Sequence, residues 1–171
     1  MTAATFVRPD GKEKVTGSGR YTADLNLTGQ LHAKLRYADH THARIVRIDT
    51  TKARALPGVL AVLTHEDVPD VRYGIMVKDR RLFAKERVRF EADVVAAVAA
   101  LTPELAAEAA ALIEVEYEPL PAISDLEAAA SGGAPLIHEE WASYEADDEM
   151  GRSGNVLGYS TIVMTRRLVT A

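Results

Sequence analysis

Two histidines one residue apart, His40 and His42, are the nearest approach to a metal pair in this chain. On a strand, an H-x-H spacing points both imidazoles to one side. Zinc takes three or four ligands, and no third stands near these two, so a turn or surface role outweighs a metal role. Glu114, Glu116 and Glu118 alternate along a predicted strand. They would share one face at intervals of about 7 Å, where they could hold a hard cation. A solvated carboxylate face that keeps an edge strand soluble is the plainer account.

Gly17-Ser18-Gly19-Arg20 has the glycine spacing of a phosphate-cradling turn. No lysine follows at P-loop spacing and no apolar strand precedes it, so an ordinary turn is expected. Lys78, Asp79, Arg80 and Arg81 form a short, mostly basic cluster that could meet an acidic partner protein, or simply be solvated. No serine lies in a G-x-S-x-G elbow, and there is no cysteine to act as nucleophile or thiolate ligand. Trp141, the single tryptophan, sits among acidic residues, and its large apolar surface calls for burial against something. On type and spacing alone, no residue is assigned a catalytic, cofactor-binding or metal-ligating role.

The 171 residues suffice for one sizeable core. A net charge of −5 argues against a sequence-independent grip on nucleic acid phosphates. Neither a leader-like start nor an apolar run near the ~20 residues of a bilayer span is evident, so the expectation is a cytoplasmic protein without membrane contact.

The elements that would position these residues centre on 87–123. Val94 to Ala100 is a continuous apolar run that fits a strand buried on both faces or the lead-in to the next helix, and its valines favour the strand. Thr102 and Pro103 then start a helix with an expected buried stripe of Leu101, Leu105, Ala109, Leu112 and Ile113. Val115 and Tyr117 alternate with the glutamates in a second strand, completing a β-α-β unit that Pro119 and Pro121 stop.

Upstream, Met1 to Leu27 is rich in breakers and reads as an irregular arm. Strands are predicted over Leu31 to Tyr37, with its charged face of His32, Lys34 and Arg36 outward, over Arg44 to Ile48, and over Val59 to Leu63. A short helix is predicted over Thr51 to Leu56, and a single helical turn over Thr64 to Val68. Pro69 to Glu86 is a long loop with room for one short strand. Ser124 is a candidate cap for a helix over Asp125 to Ala130, and Ser131-Gly132-Gly133 marks the preferred boundary. The remainder, with its acidic run and Gly151, Gly154 and Gly158, needs a partner surface to stay ordered. Tyr159 to Leu168 has strand composition.

Taken in order, Arg8-Pro-Asp-Gly, Lys14-Val-Thr-Gly, Arg20-Tyr, Ala23-Asp24-Leu25, Leu31-His32-Ala33, His42-Ala43-Arg44-Ile45, Leu56-Pro57-Gly58-Val59 and Val62-Leu63-Thr64 resemble the amino-terminal part of molybdenum hydroxylase large subunits. Val88-Arg89-Phe90, Val95-Ala96-Ala97-Val98, Ala106 to Ala110 and Val115-Glu116-Tyr117-Glu118-Pro119-Leu120-Pro121 resemble the α/β-hammerhead domain of the same family, ahead of His138-Glu139 and Gly154-Asn155-Val156. The resemblance runs from about Arg8 to Val156 and points to the xanthine dehydrogenase, aldehyde oxidase and carbon monoxide dehydrogenase family. Tyr73-Gly74-Ile75-Met76-Val77-Lys78-Asp79 is similar to its 4-hydroxybenzoyl-coenzyme A reductase branch.

The resemblance implies an α+β fold, the α/β-hammerhead, with a mixed sheet and short helices packed on it. It implies residues 1–130 as that domain, the arm being 1–27, and 131–171 as a linker and truncated lead-in to a molybdopterin-binding domain. The implied role is a structural and subunit-contact domain of a molybdenum-cofactor oxidoreductase, with no catalytic residue carried over. A free-standing interaction module using the same fold is the alternative. No cofactor is expected in the chain itself. Molybdopterin is implied for the parent, with iron–sulfur clusters and FAD as candidates on partner domains or subunits, and the partners are the molybdopterin-binding domains and the iron–sulfur subunit. Apolar surface left uncovered would be open to self-association.

Two departures from the family pattern carry expectations. Ala92-Asp93-Val94 stands where the family usually has a glycine, so the turn should keep a negative φ or be slightly strained. The residues from about Met164 lose the resemblance, as a truncation or a change of reading frame would produce, and the family's cofactor contacts and glutamate base are expected in chain beyond Ala171.

Overall fold

The computed structural model describes residues 8–146 and 151–158. It divides into a unit that reaches Leu31 and a second that begins at His32. The predicted strand over Tyr159 to Leu168 lies outside the described residues.

In the first unit, the arm contains a helix, α1 (Gly11–Thr16), that no apolar period announces because none of its residues is buried. Local polar contacts hold it. Asp10 takes Lys14 Nζ at 2.8 Å and Arg8 Nε at 2.6 Å, and Gly17 ends the helix at φ 72°.

In the second unit, the α+β class is as expected, but the strands form two antiparallel three-stranded sheets in place of one mixed sheet. The strands are β1 (His32–Tyr37), β2 (Ala43–Asp49), β3 (Val59–Leu63), β4 (Arg87–Val88), β5 (Val94–Ala100) and β6 (Glu114–Pro119). The first sheet has the order β1-β5-β3 and the second β4-β2-β6. The predicted β-α-β elements therefore exist, with β5 and β6 divided between sheets by α3 (Pro103–Ala111). Thr102 Oγ1 caps α3 by accepting from Leu105 N at 3.2 Å, and Pro103 occupies its first position.

The buried stripe of α3 differs from the expected one. Ala106, Ala109 and Ala110 are buried, whereas Leu101 is exposed. Ala109 and Ala110, with Ile113, pack on Ala53, Val62, Ala96 and Val98 in one core cluster. Small side chains on both surfaces let the helix lie close to the sheet. Leu105 instead reaches Gly58, where an added Cβ would lie 2.8 Å from Leu105 Cδ2 and φ is +90°. Glycine there serves both the turn and the helix above it. A second cluster of Ala38, Ala43, Ala84, Val88 and Val95 lies beside the first. Ile48 and Val115, direct partners across β2 and β6, touch both clusters.

The polarity of β1 is inverted relative to expectation. His32, Lys34 and Arg36 stand opposite Ala100, Val98 and Ala96, the side that α3 covers. The other side aligns Leu35 with Ala97 and Leu63, and Ala33 with Ala99 and Ala61. Leu35 is 37% and Leu63 40% exposed. An uncharged face spanning three strands is thus left in water.

Three smaller expectations are corrected. α2 is a single turn, Thr51–Arg54. The single helical turn predicted at Thr64 to Val68 is a non-helical turn, with Asp67 Oδ2 accepting from Thr64 N at 2.8 Å and Asp67 N donating back to Thr64 O at 3.1 Å. The side-chain bond substitutes for a helical one. The cap of α4 (Leu126–Ala130) is Asp125, whose Oδ2 accepts from Ala128 N at 2.6 Å, and not Ser124. No helix among the described residues is long and apolar enough to cross a membrane.

Candidate functional site

His40 and His42 precede β2 and diverge in environment. His40 Nδ1 lies 2.8 Å from Asp39 Oδ1, and its ring leans on Tyr117 with centroids 4.7 Å apart. His42 is buried, and its Nδ1 donates to the Pro121 carbonyl at 2.7 Å, while Nε2 has no partner among the described residues. Of the turn or surface role expected for this histidine, the surface part does not hold: from the bend before β2 it ties the start of that strand to the end of β6. Among the described residues, no three His, Asp or Glu side chains gather as a metal-holding set.

The glutamate face of β6 meets bases from its neighbours. Glu114 pairs with Lys52, Glu118 Oε2 lies 3.2 Å from Arg44 Nε, and Glu116 stands opposite Arg47. At Gly17-Ser18-Gly19, the three amides donate to the Lys14 and Glu13 carbonyls that end α1. That turn is a helix cap with no amide to offer a phosphate. On the basic loop, Lys78 Nζ lies 2.6 Å from Glu145 and Arg81 Nε 2.6 Å from Asp70. Lys85 also reaches Asp70, at 2.8 Å, and the two bases hold that carboxyl at about 2.

The densest polar grouping joins this loop to the described residues after Gly133, which find their ordering surface within the chain. Glu140 Oε1 accepts from Arg72 Nη2 at 3.3 Å, and Oε2 accepts from Arg89 Nη2 at 3.2 Å and from Tyr144 Oη at 3.2 Å. Arg89 Nε donates to the Ile137 carbonyl at 3.0 Å, and Arg87 reaches Glu139 at 2.8 Å. The Arg72 guanidinium lies 4.5 Å above the Tyr144 ring. Burial raises the Glu140 carboxyl, but its backbone hydrogen bond and Arg89 outweigh that and leave it below the ordinary range.

The Tyr144 proton fixes its neighbour's tautomer. Because Tyr144 Oη donates to Glu140, it accepts from His138 Nδ1, 2.9 Å away, so His138 Nε2 carries a lone pair. Burial, then Arg89, keeps this imidazole less basic than usual. None of these partners was legible in sequence, since arginine and glutamate carry no periodic signal of whom they meet.

Beside this grouping runs a groove of about 410 Å³. Val77, Ile137, Trp141 and Val156 are among its apolar lining. Asp79, singled out only as part of the basic loop, and Trp141 are brought together here. Asn155 shapes the wall by accepting from Ile137 N at 3.0 Å and donating to the Ala129 and Pro135 carbonyls at 3.1 and 2.9 Å.

Two antiparallel sheets bridged by an alanine-faced helix define a compact α+β domain, and known proteins give that domain its family. Residues 16–121 match the aldehyde oxidase and xanthine dehydrogenase a/b hammerhead domain, and the chain belongs to that family, within the molybdenum hydroxylase large subunits. It is 44% identical over 135 residues to a probable xanthine dehydrogenase subunit from Bacillus subtilis, covering 78% of this chain and 18% of the relative. It is 41% identical over 133 residues to the nicotinate dehydrogenase large molybdopterin subunit of Eubacterium barkeri, covering 77% and 31%. The crystal structure of a Cu,Mo-CO dehydrogenase superposes with a TM-score of 0.74 at 39% identity, over 79% of this chain and 18% of that one. The chain thus spans less than a third of the length of these relatives.

Proposed function

We propose that this chain serves as a structural and subunit-contact domain of a molybdenum-cofactor oxidoreductase, working in the cytoplasm. The observation that carries the reading is the outer face of the first sheet, where Leu35, Ala97 and Leu63 form an uncharged row in water. Uncovered apolar surface of this kind marks an interaction site. The polar groups support a scaffold role, because the arginines and glutamates of the densest cluster bind one another. The grouping offers no metal-holding set among the described residues, and the one glycine turn suited to phosphate has spent its amides. These residues do not fit a molybdopterin site. Molybdopterin and the catalytic base are therefore assigned to other parts of the parent, and iron–sulfur and flavin groups to its partners. On this reading, residues 131–171 lead toward a cofactor domain.

The test places Leu35→Lys with Leu63→Lys in the complete large subunit, co-expressed with its partner subunits. Loss of assembly and of molybdenum content, with an unchanged circular dichroism spectrum of the 171-residue chain carrying the same changes, is the expected result. Normal assembly of the double variant would overturn the reading.

A further inference from the structure

The groove holding Trp141 differs from the sheet face in having unspent polar groups. Its cation is committed, because Arg152 Nη1 donates to the Trp141 carbonyl at 2.9 Å and Nη2 to the Tyr144 carbonyl at 3.2 Å. Asn155 is committed to three backbone partners. Asp79 has no side-chain ion pair or hydrogen bond among the described residues, and it lines the groove with His138. The His138 Nε2 lone pair adds an acceptor. The Trp141 indole N–H and the Ser124 hydroxyl, both in the lining and without partners among the described residues, remain as neutral donors.

This distribution selects the occupant. A carboxylate and an imidazole lone pair call for a cation or N–H donor, and an aromatic ring favours a cation over its face. Neutral donors suit backbone carbonyls. The rim residues Leu126 and Leu157, 88% and 55% exposed, extend the apolar surface beyond the cavity. A contact of that breadth fits a polypeptide better than a small molecule.

We propose that the groove between Asp79, Trp141 and Leu157 docks a segment of the parent large subunit in which an arginine or lysine stands between apolar side chains. The basic head meets Asp79 and His138, and the apolar neighbours lie on Trp141, Leu126 and Leu157. This choice of source rests on the contact-domain reading, because the relatives supply much further chain on the same polypeptide.

Trp141 is the only tryptophan, so its emission reports the groove directly. The probe is an acetylated, amidated pentapeptide of leucine, valine, arginine, valine and leucine, titrated into the 171-residue chain. Saturable change in emission is expected, with at least tenfold weaker binding when the arginine is replaced by glutamate and in the Asp79→Asn chain. Equal binding of the arginine and glutamate peptides, or no saturable response, overturns the proposal without touching the sheet-face test. In the complete enzyme, a photo-crosslinking residue at position 157 should capture a basic, apolar peptide of the same large subunit. Capture of another subunit, or of an acidic segment, overturns the source.

Discussion

Arg89 Nη2 lies 3.2 Å from Glu140 Oε2 and joins stretches 51 residues apart. The guanidinium side chain is only 16% exposed, as its residue follows β4 into the loop, and that of Arg72, on the other carboxylate oxygen, is 24% exposed. Glu140→Gln would leave two largely buried cations without their counter-charge. A loss of about 1–3 kcal/mol is expected, seen as a lower urea midpoint. Glu145→Gln, which breaks an exposed pair with Lys78, should cost less than about 1 kcal/mol. Equal midpoints for the two variants would deny Glu140 its central place.

Asp70 sets an acid limb. Hydrogen bonds from Arg81 and then Lys85 hold its carboxyl at about 2, against an ordinary 3.8. A depressed carboxyl contributes stability that is complete above the unfolded value and is lost as pH falls through the folded one. Stability should therefore decline from about pH 4 toward pH 2. Asp70→Asn should flatten that part of the profile in chemical denaturation at stepped pH, and an unchanged slope would sink the assignment.

Tyr117 sets an alkaline limb. Burial, then the nearby Asp39 charge, pushes its phenol up to about 12. Between about pH 10 and that value the unfolded chain releases this proton while the folded chain retains it, so stability falls as pH rises. Tyr117→Phe should remove the decline. The buried hydroxyl has no partner among the described residues, so the same variant should stay within about 1 kcal/mol of the parent at neutral pH. A larger loss would mean that the hydroxyl has a partner after all.

Ala92 holds φ at 71°, the strained alternative of the two expected for this turn. Its carbonyl neighbours fix it there, since Asp93 N donates to Phe90 O at 3.1 Å and Ala92 N to Ala38 O at 3.1 Å. Ala92→Gly should relieve the left-handed penalty and raise stability by about 0.5–1 kcal/mol after the extra unfolded-state entropy is offset. A fall in thermal midpoint would contradict the strain.

The sequence made β3 and β5 legible to the residue, because Val59 to Leu63 and Val94 to Ala100 are apolar runs bounded by strong punctuation. Thr102-Pro103 likewise declared the start of α3. Alternation in β1 separated two faces but could not say which lies inside. The usual choice puts charge outward, whereas His32, Lys34 and Arg36 take the side of the sheet that α3 covers. Strand order was hidden too, since neighbours in sequence such as β1 and β2 pair with strands far downstream. The groove was least legible. Trp141 announced a need for burial, but Asp79 meets it only because Lys78 N donates to the Glu145 carbonyl at 2.8 Å and fixes the loop beside the segment.

The alanine contact between α3 and β5 shapes which sequence changes the domain can absorb. Ordinary cores are harmed most by truncation, because a large buried side chain leaves a void behind. Here Ala96, Ala106, Ala109 and Ala110 have little left to lose, and the hazard is growth. One added branch at Ala109 would push the helix off the sheet that holds the outer Leu35 and Leu63 face in shape. Drift toward bulk is thus closed to this seam, while the exposed leucines on the far side of the sheet can exchange size freely within the isolated fold.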